Sequence, residues 1–436
     1  MRKRLVRLLV LITLAAGLLA IPTLGYGAAP QAADSYIVVL GAEVADPAQV
    51  ARDHAASPTH VYRFALKGFS ARLPAEQVER LRADARVTRI EAVQVMTIAC
   101  HMPRHPCDDG GGSQPPEELP TGINRVDADL NPNASGDVNY HVAIIDTGID
   151  KDHPDLDVAG GQNFTGGSSD NWDDGHGHGT HVAGTVGAID NETGVIGVAP
   201  GAKVYGVKVC NNGGRCSTDA LVAGIDWVTG QKQTGAIDFA SANYSISSND
   251  DNSPCGPGSD AVHQAMCGAV NVGIVFNIAA GNEGRLKEAY PEVTAVSALA
   301  DFDGIGGGTG SPTCRSDEDD TLANFSNFGP DVDIAAPGVC ILSTWKGGGY
   351  NTISGTSMAT PHMTGAVALY LHANGLPTAK DAAGVQAIED AIYAAAHPQG
   401  AACGYTNEHA GDGSDEPLLF VNHPNFQGDG TCQTTG

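Results

Sequence analysis

The chain has 436 residues, with 50 Asp and Glu against 24 Lys and Arg and a formal net charge of −26, a length that suits two or three domains rather than one small one. Residues 1–99 hold 12 basic and 8 acidic side chains, net +4, which leaves 12 and 42, net −30, for residues 100–436. So acidic a surface disfavours nucleic acid and anionic membranes as partners and favours solubility and cation binding.

The first segment reads MRKRLVRLLVLITLAAGLLA. Arg2, Lys3, Arg4 and Arg7 lead into an apolar run from Leu8 to Leu24, and small residues follow at Gly25, Gly27, Ala28 and Ala29. That is the layout of a secretory signal peptide, expected over 1–28. The competing reading is a membrane anchor, because the run is near the lower limit for a span. No other stretch is long and apolar enough to cross a bilayer. Ten cysteines fit an exported protein, and their even number reads as disulfides. No C-x-x-C spacing points to a zinc cluster. Pairing each cysteine with its neighbour joins Cys100 to Cys107, Cys210 to Cys216, Cys255 to Cys267, Cys314 to Cys340 and Cys403 to Cys432. Sequence alone does not fix that connectivity.

Further on, SYIVVL reads as a strand, residues 75–84 as a helix and RVTRIEAVQVM as a strand again. With HVYRFALKGFSARL they make a small α+β unit over 34–98. Residues 100–119 are rich in Gly and Pro and read as a linker. From 137 onward, apolar runs such as VNYHVAIID, AKVYGVKVC, IDFASANYSI, VGIVFNIAA and VTAVSALA alternate with helical stretches. This alternation predicts a parallel sheet with helices on both faces. Ligands of such sheets sit at the carboxyl ends of the strands. Residues 401–436 read as a loop-like tail with one short strand, PLLFVN.

Three segments belong at that rim. AIIDTGID places Asp146 after an apolar run, HGHGTHVAGT places His178 before a helix, and GTSMATP places Ser357 at the start of another. A serine hydroxyl becomes nucleophilic when a base takes its proton, and histidine is the base suited to neutral pH. A buried carboxylate holds the imidazole in one tautomer and stabilises its charged form. A helix N-terminus offers the Ser357 N–H to developing negative charge, and Asn282 in AAGNEG offers a second donor. Taken singly, Ser357 fits an N-cap, Asp146 a turn before Gly148, and His178, His176 or His181 a structural loop residue. The DTG motif also occurs in aspartic proteases, which pair two carboxylates. One copy would need a dimer and would leave HGTHVAG and GTSMATP unexplained.

DTG, HGTHVAG, AAGN and GTSMATPH, in that order, resemble the subtilisin-type serine proteases from about 118 to 395. The resemblance implies a three-layer α/β domain over 120–400 with a mostly parallel central sheet. It implies Asp146, His178 and Ser357 as catalytic triad, with Asn282 and the Ser357 N–H as oxyanion hole. His178 is taken over its neighbours because it fills the first position of HGTHVAG. Residues 34–98, with Lys67-Gly68-Phe69 as anchors, resemble the propeptide of the same proteases, which implies a ferredoxin-like inhibitory unit over 29–99 whose tail enters the substrate cleft. The alternative is an independent α+β domain. The cut is expected between Met96 and Leu119.

By the same resemblance, extended substrate adds as a strand between Ser245-Ile246-Ser247 and Gly214-Arg215, with Ala279, Ala280 and Gly281 walling the first pocket. Ser247 and Cys216 stand where glycine is common in the family. Arg215 is expected either at an outer subsite or pointing to solvent. IDNETGV resembles the family's calcium loop: Asn191 would give a side-chain oxygen, Ile189, Thr193 and Val195 backbone oxygens, and Asp155 a carboxylate, with Glu117 as a further candidate. Oxygen ligands suit such a hard cation. His176 and His178 lack a third zinc ligand. The acidic loops of 301–320 hold either a further cation or, as the simpler account, water. The expectation is a secreted, monomeric, calcium-stabilised serine endopeptidase with its own propeptide as inhibitor, free of nucleic acid and membrane anchor. The alternative is an inactive binding protein on the same scaffold.

Overall fold

The computed structural model describes residues 34–98, 115–246, 251–256, 258–406 and 416–434. The expected signal segment, Cys100, Cys107, most of the linker and Ser247 lie outside the described residues. The N-terminal unit runs β1 (Asp34–Leu40), α1 (Pro47–Asp53), β2 (Pro58–Tyr62), β3 (Gly68–Leu73), α2 (Ala75–Arg82) and β4 (Val87–Ala92). Its strands form one antiparallel sheet in the order β2-β3-β1-β4. Val38, Leu40, Phe69, Ala71 and Leu73 alternate inward and meet Val50, Val78 and Leu81 from the two helices, as a one-sided sheet requires.

A short strand β5 (Val95–Thr97) leads out of this unit. The large domain follows with α3 (Thr121–Arg125), β6 (His141–Asp146), β7 (Val158–Asn163), α4 (His178–Gly187), β8 (Lys203–Lys208), β9 (Arg215–Ser217), α5 (Thr218–Thr234) and β10 (Phe239–Tyr244). It continues with α6 (Ala261–Val270), β11 (Val275–Ala279), β12 (Thr294–Ala300), β13 (Thr321–Leu322), β14 (Ile334–Pro337), β15 (Ile341–Trp345), β16 (Gly349–Ile353), α7 (Thr356–Asn374) and α8 (Ala382–Tyr393). The central sheet runs β13-β12-β11-β10-β6-β8-β7, with β14 also on β12. Every pairing is parallel except the two-residue contact of β13. Helices α5 and α6 pack together, as do α4 and α7. Covered on both faces, β10 has no exposed position, which explains why its sequence does not alternate. Strand order reverses between β6 and β10, so their carboxyl ends open the crevice where such sheets place ligands.

Four disulfides join neighbouring cysteines among the described residues: Cys210 to Cys216, Cys255 to Cys267, Cys314 to Cys340 and Cys403 to Cys432. Three expectations need correction. PLLFVN forms isolated bridges, Leu418 pairing with Ala335 and His397, rather than a strand. Residues 116 and 118, expected as linker, are bridged to Thr193 and Val195. The acidic loop is not solvated: Asp301, Asp317, Asp319 and Asp320 are all buried. Its carboxylates accept backbone N–H groups of Phe302, Gly304, Gly307, Gly308 and Gly310. The buried Arg125 guanidinium lies 3.0 Å from Asp301 and 2.7 Å from Asp320 and also donates to the Cys403 and Gly404 carbonyls. Arg315 pairs with Asp317 at 2.8 Å, so the loop folds inward because glycine-rich backbone and two cations meet its charge.

The N-terminal unit docks on α5 and α6. Asp226 of α5 accepts the N–H groups of Arg63, Phe64 and Ala65, at 2.6–3.0 Å. Burial raises the pKa of this carboxyl, and these three donors pull it back. In return, Glu91 accepts the N–H of Ala261 at the start of α6, at 2.8 Å, and Arg89 donates to the Ser259 and Gly258 carbonyls. An Asp226→Ala change would strip three N–H groups of their acceptor at a cost of about 2 to 4 kcal/mol. In the intact full-length chain, the amides of residues 63–65 should then exchange hydrogen faster. Unchanged protection would show that Asp226 does not hold the unit.

Candidate active site

Asp146 ends β6 and Asn282 follows β11, two positions bracketing β10 in the sheet. His178 opens α4 and Ser357 is the second residue of α7. The carboxylate of Asp146, 0% exposed, lies 2.8 and 2.9 Å from His178 Nδ1. With Nδ1 engaged by a carboxylate, the imidazole is held in the tautomer that leaves Nε2 for other chemistry. The surrounding backbone fixes both partners. Asp146 also accepts the Thr147 N–H at 2.7 Å, and Thr147 Oγ1 accepts the Gly179 N–H at 2.9 Å. Asp174 accepts the N–H groups of His176, Gly177 and Thr180, each at 2.9 Å, and caps the turn before α4. Gly177 has φ +109°, and a Cβ there would meet the Trp345 ring at 2.4 Å. Only glycine fits.

Ser357 Oγ donates to the Ser245 carbonyl at 3.1 Å. Its own carbonyl has an unusual partner. In a helix, the C=O of residue 357 would accept the N–H of residue 361, but Pro361 has none. Ser245 Oγ fills the gap, donating to Ser357 O at 2.8 Å. Ser245 Oγ in turn accepts Asn243 Nδ2 at 2.8 Å, and Asn243 Oδ1 accepts Thr364 Oγ1 at 3.1 Å. The peptide of Ser357 is thus bolted to the end of β10. Asn282 is oriented by the same helix. Its Oδ1 accepts the Thr356 N–H at 2.9 Å and Thr356 Oγ1 at 3.0 Å, so its amide nitrogen is the end left to donate elsewhere.

The candidate substrate edges lie on either side. Ser245 and Ile246 continue β10, and Ala279, Ala280 and Gly281 lead from β11 to Asn282; all five are buried. On the other edge, β5 pairs antiparallel with β9, Met96 opposite Cys216 and Thr97 opposite Arg215. The Ile98 N–H extends the ladder to Gly214 O at 2.8 Å. Met96 and Ile98 turn inward while Val95 and Thr97 stay exposed. Arg215 is exposed too, as either expectation for it allows. Cys216 is tied to Cys210.

The expected calcium loop gathers around Asp155, which is fully buried. One carboxylate oxygen accepts Asn191 Nδ2 at 2.9 Å; the other accepts the Val195 N–H at 3.0 Å. Glu117 accepts the N–H groups of Asn191 and Glu192. Burial, with Glu117 nearby, lifts the Asp155 pKa to about 6. The Asn191 side chain departs from expectation, since its oxygen is engaged by Thr193 and its nitrogen faces Asp155. An amide rotation would reverse this. Two carboxylates, Asp155 and Glu117, meet on this one loop, and carboxylate oxygens suit a hard divalent cation. His176 and His178 lie 6.3 Å apart by ring centroid, and no group of three metal-ligating side chains among the described residues includes them.

Sequence reading missed Asp174, Thr356 and the Pro361–Ser245 arrangement. Asp174 carried a visible signal, a cap-forming residue just before HGHGTH. A Ser245→Ala change would leave the buried Ser357 carbonyl without a donor, worth about 1 to 3 kcal/mol. Steady-state kinetics on a peptide substrate should show kcat reduced about tenfold or more with KM little changed. A KM effect alone would assign Ser245 to substrate binding and not to holding Ser357.

Residues 138–415 match the model of the subtilase family, and residues 35–99 match that of peptidase inhibitor I9. Subtilisin DY from Bacillus licheniformis is 39% identical over 264 residues, 58% of this chain and 85% of that one. Subtilisin E from Bacillus subtilis (strain 168) is 38% identical over 265 residues, 58% of this chain but only 61% of its own length. An alkaline protease from Alkalihalobacillus alcalophilus is 36% identical over 308 residues, 70% of this chain and 69% of that one. The crystal structure of a cold adapted subtilisin-like serine proteinase superposes with a TM-score of 0.51 at 29% identity, covering 69% of this chain and 97% of that one. The chain belongs to the subtilase family of serine endopeptidases and carries an I9 inhibitor unit ahead of its peptidase domain.

Proposed function

We propose that this subtilase is a secreted endopeptidase made as a self-cleaving zymogen, with Asp146, His178 and Ser357 as its triad. The observation that carries the reading is the fully buried Asp146 carboxylate on His178 Nδ1 at the end of β6, with Ser357 Oγ held on the Ser245 carbonyl just past the end of the adjacent β10. Ser357 Oγ attacks the peptide carbonyl carbon while His178 Nε2 takes its proton. The oxyanion is met by the Ser357 N–H and Asn282 Nδ2. Collapse breaks the C–N bond, and His178 returns the proton to the leaving amine. Water then cleaves the acyl-enzyme by the same route.

The domain plan is a signal over 1–28, an inhibitory unit over 29–99, a processing segment over 100–119, the peptidase over 120–400 and a disulfide-closed tail over 401–436. The cut is placed between Met96 and Leu119, and the run of residues 95–98 along β9, as a product would lie, supports a position in the later part of that span. Disulfides fit an oxidising, extracellular setting. The reading is of a monomer with peptide substrates, its own inhibitory unit as partner, and no nucleic acid or lasting membrane anchor; no described helix is long and apolar enough to cross a membrane. A structural calcium ion would be held by Asp155, Asn191 and the carbonyls of Ile189, Thr193 and Val195, with Glu117 beside them. It would neutralise the buried carboxylate and brace the loop after α4.

The deciding experiment is the intact mass of exported wild type beside Ser357→Ala. Wild type should lose the residues up to the cut and the variant should keep them. If the variant is cut equally, or if wild type is not labelled by a serine-directed phosphonate, the self-cleaving reading is wrong. Calcium adds a second expectation. Only ionised Asp155 ligates, and its raised pKa means a proton competes for it below about pH 6. The calcium-induced gain in Tm should therefore be full at pH 8 and shrink as pH falls through about 6. A gain independent of pH would move the ion elsewhere.

A further inference from the structure

We propose that Lys208 is a positioning residue that fixes Asp146, His178 and one substrate edge relative to one another; this rests on the peptidase reading above. Lys208 ends β8, directly opposite Asp146 in the parallel register, and is only 4% exposed. An ammonium has three protons to donate, and Lys208 has three acceptors: the Thr147 carbonyl, the Asp173 carbonyl at 3.1 Å and Asn212 Oδ1 at 2.9 Å.

Each acceptor sits on a different part of the site. Thr147 follows Asp146, and its hydroxyl takes the N–H of Gly179, next to His178. Asp173 precedes Asp174, the cap that takes the N–H groups of His176, Gly177 and Thr180. Asn212 lies against Gly175, where an added Cβ would meet its amide at 2.3 Å. Asn212 also belongs to the turn in which Gly214 N–H reaches Asn211 O, and Gly214 O takes the N–H of Ile98. One side chain therefore touches the strand end behind the carboxylate, the turn before the imidazole and the turn that holds substrate. Its charge has a reason to be there. Burial alone would lower the Lys208 pKa, and Asp174, Asp146 and Asp173 draw it back up. A buried cation among three carboxylates offsets the field that would otherwise build up at the Asp146–His178 pair.

The test compares mature wild type, Lys208→Met and Lys208→Arg, with kcat expressed per active site titrated by a serine-directed phosphonate. Titration removes the misfolded fraction, so a merely structural lysine would leave this number unchanged. Misplacing the pair by a fraction of an ångström should lower kcat per titrated site in Lys208→Met by about tenfold to 10²-fold. KM should change less than about threefold, and Lys208→Arg, which keeps the charge, should recover part of the loss. A Lys208→Met value within about twofold of wild type overturns the proposal. If Lys208→Met yields no folded enzyme, Asn212→Ala decides, because Asn212 is exposed and supplies one of the three contacts. A fall of about threefold per titrated site supports the proposal, and no fall overturns it. A wild type that neither titrates nor cleaves peptide would sink the peptidase reading itself, a distinct result.

Discussion

A carboxylate with no exposure holds an imidazole with almost none, and much of the surrounding architecture follows from keeping that pair in place. A buried charge is tolerated only when hydrogen bonds and an opposite charge meet it. Here the Thr147 N–H and the imidazole meet it directly, and the Lys208 ammonium, bonded to the Thr147 carbonyl next along the chain, adds a positive charge nearby. The sheet supplies the strand end, and the turn built on Asp174 and Gly177 supplies the imidazole. Strands β6, β10 and β11 end at one rim, and the helices returning from that rim point their N-termini into it. The rigidity of the sheet is what the site inherits.

The N-terminal unit uses the large domain in a complementary way. It lends Glu91 to the first turn of α6 and borrows Asp226 from the middle of α5. Each domain thus satisfies backbone groups that the other leaves open. The β5 strand then carries the chain on to β9, the candidate substrate edge, with Met96 and Ile98 turned inward. The docked sheet and the β5–β9 ladder are one continuous contact. The net +4 of residues 1–99 comes from Arg2, Lys3, Arg4 and Arg7, so residues 29–99, with 8 basic and 8 acidic side chains, carry no net charge and dock through these short-range bonds.

The sheet, its helices and the rim residues were legible because each is written in a few contiguous positions. AIIDTGID shows both the buried strand and the residue at its end, and GTSMATP shows a helix start. Four of the five neighbour pairings match the disulfides of the described residues, although the sequence did not fix them. Contacts between distant positions were not legible. Asp226 sits in LVAGIDWVTG, where a lone carboxylate reads as a solvated helix position until the backbone of residues 63–65 is laid against it. Lys208 reads as the end of a strand until its three acceptors converge. The run RSDEDD reads as hydrated because nothing local shows Arg125 and the inward-turned glycine amides that bury it. Asn191 shows a finer limit: its place in the loop was legible, but not which end of its amide faces Asp155.

The missing N–H of Pro361 and the hydroxyl of Ser245 are two halves of one hydrogen-bond account. Neither half makes sense alone: a proline inside a helix costs stability, and a buried hydroxyl needs somewhere to point. Together they let the first turns of α7 be held by the sheet instead of by the helix itself. An amino acid at 361 that restored the N–H would give the Ser357 carbonyl a partner within its own helix and leave the Ser245 hydroxyl with the Asn243 amide alone. The dependence between the two positions, 116 residues apart, therefore runs one way: the hydroxyl at 245 is needed for as long as 361 is proline.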